Sequence, residues 1–144
     1  DPEHADAYAA NAAAYSVTLD AVEVELAAAL APVAHQPFIV FHDAYQHFEA
    51  RFGLTLAGSV TVSPESMPGA QRIDELRHRV AELGATCVFA EPNFEPAIVN
   101  TIIEGTNARA GVLDPEGASL EPGPDLYPQL LRDLGAGLLD CLQQ

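Results

Sequence analysis

Three short apolar runs of this chain end in residues that bind metals or move protons. Phe38-Ile39-Val40-Phe41 closes on His42, Cys87-Val88-Phe89-Ala90 on Glu91-Pro92, and Ala110-Gly111-Val112-Leu113 on Asp114-Pro115. Open α/β sheets build their ligand sites beyond the carboxyl ends of their strands. If the three runs are parallel neighbours, one edge of the sheet collects an imidazole and two carboxylates, a donor set suited to a divalent metal. Each residue also has a plainer reading. A histidine after a buried strand can be a structural, hydrogen-bonded residue. Asp114 before Pro115 can simply start a turn, Glu91 can cap or can support a ligand from behind, and Asp43 can be the N-cap of a helix that follows His42.

The remaining histidines read as solvated surface. His4 and His35 flank the first helix, His47 is turned away from His42 by the intervening helix, and His78 sits between Arg77 and Arg79 on a charged helical face. No nucleophile elbow, phosphate-binding P-loop, GxGxxG fingerprint or HExxH motif occurs. Cys87 and Cys141 are too far apart in sequence to form a CxxC pair.

The elements that must position these groups follow from periodicity. Tyr8, Ala12, Tyr15, Leu19, Val22, Leu26 and Leu30 recur at spacings of three and four through Ala-rich filler, which predicts one helix over the first 31 residues, ended by Pro32. A strand at about 37–41 and a helix at about 43–51, stopped near Gly53, come next. A second strand, Leu56 to Val62, runs into the loop Ser63 to Gly69. A helix carrying Ile73, Leu76, Val80 and Leu83 is closed by Gly84. The third strand ends at Glu91, a helix spans about 94–107, the fourth strand ends at Asp114, and the polar segment Pro115 to Pro124 precedes a final helix. Strands alternating with helices predict an α/β fold: an open, mostly parallel four-stranded sheet flanked by helices, a Rossmann-like lobe, preceded by a long helix. That long helix has no strand before it. The expected organisation is therefore a helix over 1–31 joined to an α/β lobe over 32–144, with an earlier lobe lying outside this sequence.

Composition narrows the function. Twenty-one acidic against six basic residues leave a formal charge of -15, with no basic stripe, which excludes nucleic acid as a partner. A hydrophobic fraction of 49% is enough for a packed core. No apolar run approaches the ~20 residues of a membrane span, so the chain is not membrane-embedded. It opens on the polar Asp1-Pro2-Glu3-His4 rather than a signal-peptide pattern, which predicts either a cytoplasmic chain or one whose leader is removed before Asp1. The two cysteines read equally as buried thiols or as a disulfide; a bridge would close 55 residues counting both ends. Closure of that length is worth roughly 4 kcal/mol in the chain-entropy model and needs an oxidising compartment.

Phe41-His42-Asp43-Ala44-Tyr45 with Phe48, then Phe52-Gly53-Leu54, resembles the second-lobe signature of the metal-binding proteins of ABC importers, and more narrowly of their zinc-uptake periplasmic members. Pro68-Gly69-Ala70, the stretch Ala85 to Phe94 and Leu113-Asp114-Pro115 continue the match in order, and Asp1-Pro2-Glu3-His4 with Tyr8, Asn11 and Tyr15 is similar to the family's inter-lobe helix. The resemblance covers essentially the whole chain. It implies a C-terminal lobe of a periplasmic solute-binding protein that captures Zn²⁺ and hands it to the membrane permease of an ABC importer, without being an enzyme. It implies His42 as this lobe's metal ligand, where manganese-type members often carry Glu. It implies Asp114 at the position that binds metal in manganese-type members, and Cys87–Cys141 as a disulfide. The family's first-lobe ligands have no counterpart here, and Ser59 stands where some relatives carry a further histidine. Two other readings stay open: a manganese or iron carrier of the same architecture, and a free-standing flavodoxin-like domain using His42, Glu91 and Asp114 as an acid/base cluster.

Overall fold

The computed structural model of the protein describes residues 1–61, 68–84, 87–92 and 96–144. After a 3₁₀ turn at Pro2–His4, helix α1 runs over Ala5–Leu30 and leads into β1 (Phe38–His42), α2 (Gln46–Phe52), β2 (Leu56–Thr61), α3 (Ala70–Leu83), β3 (Cys87–Ala90), α4 (Pro96–Ile103), β4 (Arg109–Val112) and α5 (Leu126–Leu142). The four strands form one sheet in the order β2-β1-β3-β4, every neighbouring pair parallel. The predicted open parallel α/β sheet is thus present.

The continuous apolar runs reflect burial on both faces of the sheet. Phe38, Val40, Cys87 and Phe89 point into a core closed by Val22, Leu26 and Leu30 of α1 and by Leu130, Leu134 and Leu138 of α5. The alternate residues Ile39, Phe41 and Val88 point into a second core with Val60, Leu76 and Val80, and Val99 and Ile102 of α4. Of the α1 stripe, only its C-terminal part is buried, at Val22, Leu26 and Leu30; Tyr8 is 55% exposed. α3 packs on one face of the sheet through Leu76 and Val80, and at the outer strand β2 its Arg72 Nη2 donates to Ser59 O at 2.6 Å and its Arg79 Nη1 to Ala57 O at 2.9 Å. Charged side chains on an edge strand guard it against pairing with another chain.

Both helix-ending glycines sit in the left-handed region, Gly53 at φ 65° and Gly84 at φ 61°, as C-caps. α5 approaches the end of β4 through Gly137, where a Cβ would stand 2.7 Å from the Val112 carbonyl oxygen. Cys87 of β3 and Cys141 of α5 form a disulfide with their Cα atoms 6.2 Å apart. Among the described residues no helix is long and apolar enough to cross a membrane.

Three expectations are corrected. The helix after His42 begins at Gln46 rather than near 43, and its N-cap is Tyr45. Asp43 therefore does not cap it; its carboxylate instead accepts from Gln46 Nε2 at 3.0 Å. α4 stops at Ile103 rather than near 107, because Gly105 turns the chain at φ 76° and the Thr106 hydroxyl donates to Ile103 O. The expected strand end at Val62, the loop from Ser63 to Met67, Thr86 and the helix start at 94 lie outside the described residues.

Candidate functional site

The chain runs from β1 outward to β2 on one side and returns through α3 to β3 on the other, so the strand order reverses between β1 and β3. At such a switch point the crossovers diverge to opposite faces and leave a crevice beyond the strand ends. His42 is the last residue of β1 and Glu91 directly follows β3. The β1–β3 register pairs Phe38 with Cys87 and Ile39 with Val88, and the same offset of 49 residues brings His42 beside Glu91. Their side chains meet, with His42 Nδ1 2.7 Å from Glu91 Oε1. Glu91 is only 5% exposed, whereas the imidazole retains 20% of its surface.

Tyr45 completes this arrangement. Residues 43–45 form a turn, with Ala44 N donating to His42 O at 3.0 Å, before α2 starts. The turn carries the Tyr45 ring inward, 5% exposed, where its hydroxyl donates to the same Glu91 oxygen at 3.1 Å. Its ring centroid lies 6.4 Å from that of His42. One carboxylate oxygen thus meets the imidazole and the phenol from the two ends of the His42–Tyr45 segment.

The electrostatics follow from burial. Loss of water pushes the Glu91 carboxyl up; its contacts with His42 and Tyr45 pull the other way without reversing the shift. The Tyr45 phenol is pushed far above its usual value, first by burial and then by the Glu91 charge, with smaller pushes from Asp114 and Glu49. It therefore serves as a hydrogen-bond donor at all ordinary pH. Parallel pairing of β4 with β3, continued by Leu113 N donating to Ala90 O, puts Asp114 at the same edge of the sheet as Glu91.

Asp114 itself organises the loop after β4. Oδ1 accepts from Glu116 N at 3.1 Å and Gly117 N at 2.9 Å, and Oδ2 accepts from Ala118 N at 2.8 Å. The turn chemistry open to an Asp-Pro pair is thus present, and a carboxylate with about four lone-pair sites retains acceptor capacity beyond it. Among the described residues no three His, Cys, Asp or Glu side chains come together as a metal cage. The edge of the sheet collects the three strand-end residues, but it pairs His42 with Glu91 rather than joining all three in one coordination shell.

The other histidines lie elsewhere. His4 pairs with Asp1 at 2.8 Å and His78 with Asp74 at 3.6 Å, both on the surface. His35 is exposed, and His47 lines a groove between α1, α2 and α5. Sequence reading missed Tyr45 as a member of the site. Its signal was the phenol three residues past a strand-end histidine.

The carboxylate–imidazole pair is the arrangement by which proteins hold a metal-ligating histidine. Comparison with known proteins gives the family of the chain. The family model described as "Zinc-uptake complex component A periplasmic" matches residues 1–141. A high-affinity zinc uptake system protein ZnuA of Brucella suis is 60% identical over 144 residues, all of this chain and 43% of that protein. The ZnuA of Yersinia pestis is 41% identical over 142 residues, 99% of this chain and 45% of that protein. Among solved structures, a crystal structure of ZnuA aligns with TM-score 0.81 and 27% identity, covering 99% of this chain and 50% of that one. The laminin-binding protein Lmb of Streptococcus agalactiae, described as bifunctional with adhesin and metal transporting activity, aligns with TM-score 0.84 and 27% identity over 99% of this chain and 54% of its own. This chain spans less than half the length of the curated relatives it matches. With a family model matched from its first residue to Cys141, the chain belongs to the zinc-uptake complex component A family.

Proposed function

We propose that this chain is the C-terminal lobe, with its inter-lobe helix, of a periplasmic protein that captures Zn²⁺ and delivers it to the permease of an ABC importer. The observation that carries the reading is His42 at the sheet's switch point with Nδ1 held by the buried carboxylate of Glu91. With Nδ1 so engaged, the imidazole meets the cargo ion through Nε2, and neutral imidazole nitrogen is a preferred zinc donor. Asp114, on the same rim, is the second candidate ligand. Zinc ordinarily takes four ligands, so the others come from the part of the relatives' length that this chain does not span. The exposed N-terminal part of the α1 stripe, including Tyr8, supports a helix that continues against a further lobe. Such a protein makes and breaks no covalent bond, so the reading makes it a carrier and not an enzyme.

The test is a Zn²⁺ titration of the metal-stripped 144-residue chain followed by residue-resolved NMR, with Mn²⁺ in competition. Shifts centred on His42 and Asp114 that saturate weakly, and that Mn²⁺ does not displace, are expected. Shifts confined to His4, His35 or His78 refute the site. Sub-micromolar affinity that depends on His42 alone refutes the half-site, and preference for Mn²⁺ transfers the reading to a manganese carrier of the same architecture.

A further inference from the structure

The His42 side chain is held by a device whose parts come from two distant strands. Glu91 is one of only two polar or charged residues among the buried set of the described chain, the other being Thr61. A carboxylate so placed needs donors, because burying it without them costs several kcal/mol. It has the imidazole at 2.7 Å and the Tyr45 hydroxyl at 3.1 Å on one oxygen, and a backbone hydrogen bond from His42 besides. Its backbone is equally constrained. The preceding residue, Ala90, accepts from Leu113 N at 3.0 Å, and β3 is tied at its other end to α5 by the Cys87–Cys141 bridge.

A neutral imidazole carries one proton, on either nitrogen, and only the bare nitrogen can bind a metal. A carboxylate beside Nδ1 favours the tautomer with the proton on Nδ1, which bares Nε2. Tyr45 donates to the same carboxylate oxygen at 3.1 Å, a second bond that any swing of that oxygen would break.

We propose that Glu91 and Tyr45 are the positioning residues of this lobe: Glu91 fixes His42 in the Nδ1–H tautomer before any metal arrives, and Tyr45 fixes Glu91. This rests on the reading of His42 as the zinc ligand, yet the tautomer can be read without metal. The lobe is therefore set for its cargo in advance, and the metal need not reorient the ring. Neither residue touches the ion; both act through the imidazole.

The experiment is ¹⁵N–¹H correlation NMR of the histidine rings in the metal-free 144-residue chain, at a pH where imidazoles are neutral, with exposed His35 and His78 as references in the same spectrum. In the wild type, His42 is expected as the Nδ1–H tautomer, unlike the two references. Glu91→Gln, which keeps an acceptor oxygen, is expected to retain part of that preference, Glu91→Ala to abolish it, and Tyr45→Phe to keep the tautomer while shifting the Nδ1 proton resonance. Zn²⁺ titration of the same samples is expected to lose about 10–100-fold in affinity for Glu91→Ala, the range typical of lost ligand-orienting partners. A wild-type His42 with its proton on Nε2 overturns the proposal and needs no variant to fold. So does a Glu91→Ala spectrum in which the Nδ1–H tautomer survives. Absence of zinc at His42 with the tautomer as expected rejects the zinc reading and leaves the positioning pair standing.

Discussion

Removing the Cys87–Cys141 bridge tests how the lobe is held together. Cys87 is fully buried in β3 and Cys141 is 4% exposed in the last turns of α5, and the bridge joins residues 54 apart in sequence. In the unfolded chain, closing a loop of that size removes conformational freedom worth about 4 kcal/mol. The folded contacts around the bridge survive its loss in part, because Arg109 of β4 still donates to Cys141 O and, at 3.0 Å, to Gln144 O. Cys87→Ala/Cys141→Ala is therefore expected to fold but to lose roughly 4 kcal/mol, close to a thousandfold in the unfolding equilibrium constant. At about 2–4 °C per kcal/mol for a domain of this size, the melting temperature should fall by ~8–16 °C. Urea unfolding of the oxidised wild type, the reduced wild type and the double variant measures this. The m value should rise in both bridge-free forms, since an uncrosslinked unfolded chain exposes more surface. A loss below ~1 kcal/mol in both would refute the reasoning, because the long loop would then not be what the bridge restrains.

Three further outcomes are expected. Glu49 Oε1 is buried with no hydrogen-bond partner among the described residues, and burial, then the charge of Asp43, raises its carboxyl above the usual value. A group that binds protons more tightly in the folded state lowers stability as pH rises through its folded value. Glu49→Gln should thus gain about 1 kcal/mol over wild type at neutral pH, an advantage that shrinks on acidification toward about pH 4, where unfolded carboxyls also protonate. Urea unfolding at the two pH values checks this, and parallel pH profiles would exclude it. Gly137→Ala should destabilise by about 1–2 kcal/mol although Ala is the better helix former by up to ~1 kcal/mol, since its Cβ would meet the Val112 carbonyl oxygen at 2.7 Å. A raised melting temperature would contradict that close approach. Asp114→Ala removes the acceptor of the Glu116, Gly117 and Ala118 amides, whose hydrogen exchange should accelerate at least about tenfold, as expected for bonds to a charged acceptor; unchanged rates would deny the carboxylate its hold on the loop.

Much of this was legible in the chain itself. The apolar run Phe38 to Phe41, with no polar residue to mark an outer face, announced a strand buried on both sides, and Ile39 and Phe41 do enter one core while Phe38 and Val40 enter the other. Pro32, Gly53 and Gly84 marked helix ends because their backbone preferences act locally, whatever surrounds them. Strand-end placement of His42, Glu91 and Asp114 followed from the same local pattern.

Which of those residues meet was a matter for the tertiary structure. Period and breakers reveal that a strand exists, whereas strand order depends on pairings between segments far apart in sequence, such as Phe38 with Cys87. Only once β3 lies against β1 does the 49-residue offset bring Glu91 onto the His42 ring, leaving Asp114 to bind its own loop. Tyr45 shows the same division. Local propensity favoured a helix from residue 43, but the buried Glu91 carboxylate lies 3.1 Å from its hydroxyl, and that contact accompanies a turn through residues 43–45 that brings the phenol inside. Residue types and their periods determined the elements and their chemistry. The long-range demand to satisfy a buried charge decided the partners.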